Sequence, residues 1–221
     1  MKPLKPVKLM KPARIPRKAS AALAVTALLT SPATTAFAQD ESRWVKAGEV
    51  RAAGVFVPPS PRRLAEALTY DVKLVPVGAR IAVVERVGDR RVGGHAGKET
   101  AGSGTDVRLS VSGLLPNRMY GAHVHTEPCG STPEDAGPHY QNVKDPEQPS
   151  TDPAYANPEN EIWLDFTTGS GGQATAESRH TWRFRPGQAG SVVIHEHGTA
   201  TTPGEAGTAG ARLACLTVPF E

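Results

Sequence analysis

Residues 106–113 read DVRLSVSG, with Val107, Leu109 and Val111 on one alternating set and Arg108, Ser110 and Ser112 on the other. Successive side chains of a strand point to opposite faces, so this period of two predicts a half-buried β-strand. Working outward, further short apolar runs cover 79–86, 119–124, 161–167, 174–178, 181–184, 190–196 and 212–218, separated by turn residues. About eight short strands punctuated in this way predict an all-β protein, an antiparallel β-sandwich or barrel with long loops. The 221 residues suit one domain or at most two small ones. The 22 glycines and 20 prolines argue against a helical bundle.

The ends of this pattern divide the chain. The first 18 residues carry Lys2, Lys5, Lys8, Lys11, Arg14, Arg17 and Lys18 and no acid. Residues 19–29 are then small or apolar apart from Ser20 and Thr26, and Ala36 and Ala38 form an A-x-A site. Residues 1–38 therefore read as a secretory signal cut after Ala38, followed by an extended, proline-containing linker at 39–63 and a folded domain at 64–221. The apolar run is shorter than the roughly 20 residues that span a bilayer, so no stable membrane insertion is expected after cleavage. An extracytoplasmic or secreted location follows, where a disulfide persists. Beyond residue 18 the 18 basic residues face 22 acidic ones. The overall charge of +3 thus belongs to the leader, and the remainder is not built to bind nucleic acid. Residues 93–104, GGHAGKETAGSG, read as a flexible hairpin insertion, and 130–160, with six prolines and no periodicity, as a long functional loop.

The histidines fall into a pattern. GAHVHTEPCG sets His123 and His125 two apart at the end of an apolar run, on one face of a strand. Alone, such a pair is either two ligands of one metal or two polar residues on a surface strand. His139 follows a Gly-Pro turn, where a histidine can as well cap the turn. SVVIHEHG repeats the spacing with His195 and His197. Five of the seven histidines occupy these three positions, and a set of neutral imidazoles suits copper or zinc. His95 and His180 read as solvated. Arg212 alone would be an ordinary surface charge, and Cys129 and Cys215 either pair or remain buried thiols.

Together GAHVHT, the Cys that follows it, AGPHY, VVIHEHG and AGARLAC resemble the secreted bacterial branch of the copper/zinc superoxide dismutase family over about 64–218. The resemblance implies a Greek-key sandwich with His123, His125, His139 and His195 as copper ligands, and His139 also carrying a proton. It further implies that Arg212 docks the anionic substrate, superoxide, and that a Cys129–Cys215 disulfide ties the loop to the last strand. An arginine is permanently charged, which suits that docking role.

The chain departs from the family where zinc would sit. The positions expected to bind it are Gln148, Asn157 and Asn160, none a usual zinc ligand, and Asp145, Asp152 and Tyr155 offer only a poor substitute. The aspartate that the family keeps four residues after the last copper histidine is Thr199. Residues 198–211 carry a single charge, Glu205, in place of a charged guidance loop. The resemblance is therefore to copper-only members, with copper and without zinc. His139 then needs another acceptor on its outer nitrogen, and Glu159, Glu161 and Asp152 are the candidates. The function expected is that of an exported copper-dependent superoxide dismutase giving oxygen and hydrogen peroxide. The alternative is a copper storage or delivery protein on the same scaffold, for which His197 would be an added ligand. A third reading is an interaction module that has lost catalysis. Trp44, Trp163 and Trp182 read as ordinary packing, so no oligomer surface is marked.

Overall fold

The structure, a computed structural model, describes residues 44–60, 65–92 and 100–221. The expected leader at 1–38 and His95 lie outside the described residues. Among the described residues nine strands form two antiparallel sheets. They are β1 (Trp44–Val55), β2 (Ala67–Thr69), β3 (Arg80–Val92), β4 (Thr100–Ser112), β5 (Met119–His125), β6 (Phe166–Thr167), β7 (Ala174–His180), β8 (Ser191–His195) and β9 (Arg212–Thr217). One sheet runs β1-β3-β4-β7 and the other β2-β9-β8-β5-β6. β6 lies beside β7 across the sheet boundary. The order β4-β7-β6-β5 around the sandwich is thus that of a Greek key.

The alternation in β4 does what its period requires. Val107, Leu109 and Val111 are buried, and they face Tyr120, Ala122, Ile194 and Leu216 of the other sheet across a continuous apolar core. Burying each large apolar side chain contributes roughly 1.5–3 kcal/mol, so the two-sheet layer is where most of the stability resides.

Three stretches differ from their sequence expectation. The linker expected at 39–63 contains β1, which pairs with β3 from Val55↔Arg80 to Ala47↔Gly88. Its inward residues, Val50 and Ala52, are small enough to lie against the core without producing a conspicuous apolar period. Phe56, fully buried, closes that end. The insertion expected at 93–104 does not extend over its last five residues, because 100–104 belong to β4 in register with β3, and 93–99 lie outside the described residues. Gly104 is required there, since a Cβ would stand 2.3 Å from the His180 carbonyl oxygen. Residues 181–184 form no strand. The chain crosses between sheets at this point, and Phe184 packs its ring 4.8 Å from those of Tyr140 and Phe220.

The loop at 130–160 holds one short 3-10 helix, Pro133–Ala136. It is fastened to β9 by the Cys129–Cys215 disulfide, closing a separation of 86 residues. In the chain-entropy view such a link contributes about 4–5 kcal/mol.

Candidate metal centre

β5 and β8 are neighbours, and Gly121 stands opposite His195. Because Ala122 and Val124 point into the core, His123 and His125 point to the opposite face, where His195 also emerges. Gly121 is part of the design of that face. A Cβ at this position would lie 2.5 Å from the His197 carbonyl oxygen and 2.8 Å from the Ala209 methyl group. The loop then returns alongside β5: Thr126 N–H donates to Pro138 O at 3.0 Å and Tyr140 N–H to Val124 O at 2.8 Å. Between those bonds His139 lies in a bridge with His125. One nitrogen from each of His123, His125, His139 and His195 lies within 4.8 Å of the others.

The outer nitrogens show which inner ones are free. His125 Nδ1–H donates to Gly137 O at 2.9 Å, and His195 Nδ1–H to Gly210 O at 3.4 Å. His139 Nδ1–H donates to Glu161 Oε2 at 2.9 Å. A neutral imidazole has one N–H, so these three rings turn unprotonated Nε2 atoms inward. His125 Nε2 and His195 Nε2 stand 3.3 Å apart, two lone pairs facing each other. His123 is reversed: Nε2 lies 2.6 Å from Thr199 Oγ1, and Nδ1 is buried with no hydrogen-bond partner. Opposed lone pairs and an orphaned buried nitrogen are what a cation at the centre of the four rings would satisfy, so this donor set fits a metal ion.

Electrostatics keeps those donors available. Burial, then the neighbouring imidazoles, hold His123 and His125 well below the ordinary histidine range. Burial chiefly, with the nearby His139, pushes His195 down to about 3. Neutral rings are the form that binds metals.

Glu161 is the acceptor for His139, not Glu159 or Asp152. It is 1% exposed, and it also accepts Trp163 Nε1–H at 2.7 Å on Oε2 and Gln141 Nε2–H at 2.8 Å on Oε1. Glu159 is exposed and its carbonyl takes Trp182 Nε1–H, while Asp152 accepts Ala154 N–H in a turn. Asp145, Gln148, Asn157 and Asn160 likewise hold the loop together. Asp145 accepts Glu147 N–H and the Ser150 hydroxyl, Gln148 donates to Gln141, Asn157 donates to Pro153 O, and Asn160 clamps Val143. Among the described residues, the four histidines are the one group of His, Cys, Asp and Glu with metal-binding geometry.

Arg212, half-buried, donates from Nη1 to Pro133 O at 3.0 Å and lines a cavity of about 300 Å³ together with His139 and His195. His197 stands outside the cluster, largely exposed, 3.7 Å from Glu196 Oε2. His180, expected to be solvated, is buried instead. Its ring lies 2.8 Å from Ser178 Oγ and packs, tilted by 40°, with its centroid 4.3 Å from that of Trp182, since it terminates β7 beneath the sheet crossing.

The partnership of Asp165 with Thr199 was not anticipated. Asp165 accepts Ala122 N–H at 3.1 Å, Thr199 Oγ1–H at 2.8 Å and Thr199 N–H at 2.7 Å. The sequence signal for it is an acid set between Leu164 and Phe166 inside the apolar run at 161–167, a position where a carboxylate is kept only with partners.

No known protein-family pattern matches the chain, and no curated protein matches it. Similar chains among solved structures include a single mutant of a SOD-like protein from Bacillus subtilis, with 17% identity and a TM-score of 0.44 over 63% of this chain and 90% of that one. A double mutant of a SOD-like protein from the same organism gives 17% identity and a TM-score of 0.42 over 62% of this chain and 88% of that one.

Proposed function

We propose that the four-histidine cluster is a copper centre at which an exported protein converts superoxide to oxygen and hydrogen peroxide. The observation that carries this reading is the set of four inward-facing imidazole nitrogens within 4.8 Å, beside a cavity that also exposes an arginine. The donors are all imidazole nitrogens, with no carboxylate or thiolate among them. Of the divalent first-row metals such a set binds Cu(II) most strongly, and no zinc ligand set accompanies it among the described residues.

Copper, when bound, supplies the one-electron oxidation and reduction; the protein supplies geometry, charge and access. His123 would offer Nδ1, and His125, His139 and His195 would offer Nε2. Arg212 keeps one guanidinium edge on the Pro133 carbonyl and its charge in the shared cavity, where it attracts and orients a small anion. His139 is the one histidine of the four that is not buried, its side chain being 17% exposed. Its Nε2 is thus the atom best placed to take a proton from solvent and yield it to reduced dioxygen, while Glu161 holds Nδ1–H. Two superoxide anions and two protons give one oxygen and one hydrogen peroxide, so the balance needs no other reductant. The Cys129–Cys215 disulfide supports an extracytoplasmic setting. No helix among the described residues is long and apolar enough to cross a membrane.

The test is to load the whole protein with copper, count bound copper and zinc, and follow superoxide decay by pulse radiolysis beside His195→Ala and Arg212→Ala. One copper per chain, little zinc, and decay that collapses in His195→Ala and slows in Arg212→Ala are expected. Tight copper binding with decay no faster than in the variants would refute dismutation and leave a copper carrier.

A further inference from the structure

We infer that Asp165 is a positioning residue for His123 acting at one remove, through the hydroxyl of Thr199, and that this relay sets which nitrogen His123 turns inward. The inference rests on the metal-centre reading only for its consequence on copper. Its first test needs no metal.

The argument is a proton count. Asp165 Oδ1 is 3.8 Å from His123 Nε2, beyond hydrogen-bond reach, so the carboxylate does not hold the ring itself. Thr199 Oγ1 stands between them, 2.8 Å from Asp165 Oδ1 and 2.6 Å from His123 Nε2. A threonine hydroxyl has one proton to give. Given to the carboxylate, it leaves only lone pairs for His123, so Nε2 must carry the ring proton and Nδ1 must be bare. Given instead to His123, it would leave a carboxylate oxygen facing a hydroxyl lone pair at 2.8 Å and force an N–H onto Nδ1, where no acceptor exists. The first arrangement pairs every group but Nδ1, and Nδ1 is the atom the cluster needs free.

The same carboxylate also fixes the backbone on both sides. Ala122 N–H, next to His123 in the chain, donates to Oδ1, and Thr199 N–H donates to Oδ2. Leu164 N–H donates to Ala122 O at 2.7 Å, so the segment bearing Asp165 is hydrogen-bonded alongside β5. Ring, strand and the loop after β8 are thereby held to one side chain. His123 is the one ring of the four whose outer acceptor is a hydroxyl, and the carboxylate behind it determines which way that hydroxyl points.

The experiment compares the full chain with Thr199→Val, Thr199→Ser and Asp165→Ala, which removes the acceptor of the Thr199 hydroxyl. Thr199→Val keeps the volume and the backbone N–H to Asp165, and Thr199→Ser restores the hydroxyl. In the metal-free protein, ¹⁵N chemical shifts of the histidine rings report the tautomer. His123 is expected as the Nε2–H form in wild type and Thr199→Ser, and displaced from it in Thr199→Val and Asp165→Ala. The Nδ1–H form in wild type, or an unchanged tautomer in both disruptive variants, would overturn the relay. In the second arm, Cu(II) affinity by chelator competition should fall about 10- to 100-fold in Thr199→Val and be retained in Thr199→Ser. Equal affinity in Thr199→Val and wild type would also overturn it. A chain with the expected tautomers that bound no copper would support the relay while refuting the copper reading of the centre.

Discussion

Replacing Glu161 with glutamine changes one oxygen to an amide at a position where no rearrangement can absorb it. The carboxylate takes three donors, His139 Nδ1–H and Trp163 Nε1–H on one oxygen and Gln141 Nε2–H on the other. The substituted side chain could keep its carbonyl toward His139 and Trp163, but its NH₂ would then face the NH₂ of Gln141. Gln141 cannot turn over in response, because its own oxygen already accepts Asp145 N–H at 2.9 Å and Gln148 Nε2–H at 3.1 Å. A buried donor pair left opposed costs about 1–3 kcal/mol, and two charge-assisted bonds becoming neutral cost about 1 kcal/mol more. Glu161→Gln should therefore lower the unfolding free energy of the metal-free protein by about 2–4 kcal/mol in urea titrations. The double variant Glu161→Gln, Gln141→Glu restores a donor opposite every acceptor at the contact between the two side chains. It should recover at least about 1 kcal/mol over the sum of the single effects. With His139 held by a neutral amide oxygen in place of a carboxylate, Cu(II) affinity of the single variant should fall about 10-fold. A loss below about 0.5 kcal/mol, or no coupling between the two positions, would refute this account of how His139 is oriented.

Two further outcomes follow from groups away from the centre. Glu85 is fully enclosed in β3, with Oε2 accepting Glu221 N–H at 3.0 Å and Oε1 without a partner, and burial raises it from 4.5 to about 7. The folded state then holds a proton that the unfolded state releases, so this group's contribution is fully present below pH 4.5 and is lost as pH rises to about 7. Glu85→Gln should flatten unfolding free energy against pH across that window by up to about 3 kcal/mol, and an unchanged slope would count against it. Replacing Cys129 and Cys215 together by alanine should lower the unfolding free energy by about 4–5 kcal/mol, measured by urea titration beside the oxidised protein. A shift under about 1 kcal/mol would show that the 130–160 loop is held mainly by its own hydrogen bonds.

The fold was legible wherever one face of a strand is aliphatic and the other is not. DVRLSVSG in β4 carries that contrast and its aliphatic face is buried, whereas β8 was legible as a short apolar run leading into His195 and is buried on both faces. β1 was not legible, because an edge strand whose inward residues are Val50 and Ala52, set among Lys, Glu and Arg, has no apolar period to read. β2 has only three residues, too few to show any period, and exists because β9 offers it a ladder. The stretch 181–184 failed in the opposite sense. Its aromatics suggested a strand, yet Trp182 and Phe184 serve as packing at a crossing between sheets.

The same physics divides the site. The four histidines could be found from sequence because each lies at a local feature, a strand end or a Gly-Pro turn, that sets its direction within a few residues. Their outer partners could not, because each partnership spans loops whose paths are tertiary: Glu161 reaches His139 over 22 positions, and Thr199 reaches His123 over 76. Glu159 and Glu161 are equivalent on composition alone. They differ in that Glu161 bridges to Gln141 and turns into the cluster, whereas Glu159 lies in the preceding turn and stays exposed. The short segment from Glu161 to Asp165 thereby places a carboxylate on each flank of the centre, one touching His139 directly and one reaching His123 through Thr199. Two rings, His123 on β5 and His139 on the loop that follows it, take their orientation from one segment. A shift of that segment along β5 would therefore disturb both at once, and the centre's geometry depends on this single stretch of backbone as much as on the strands that carry the histidines.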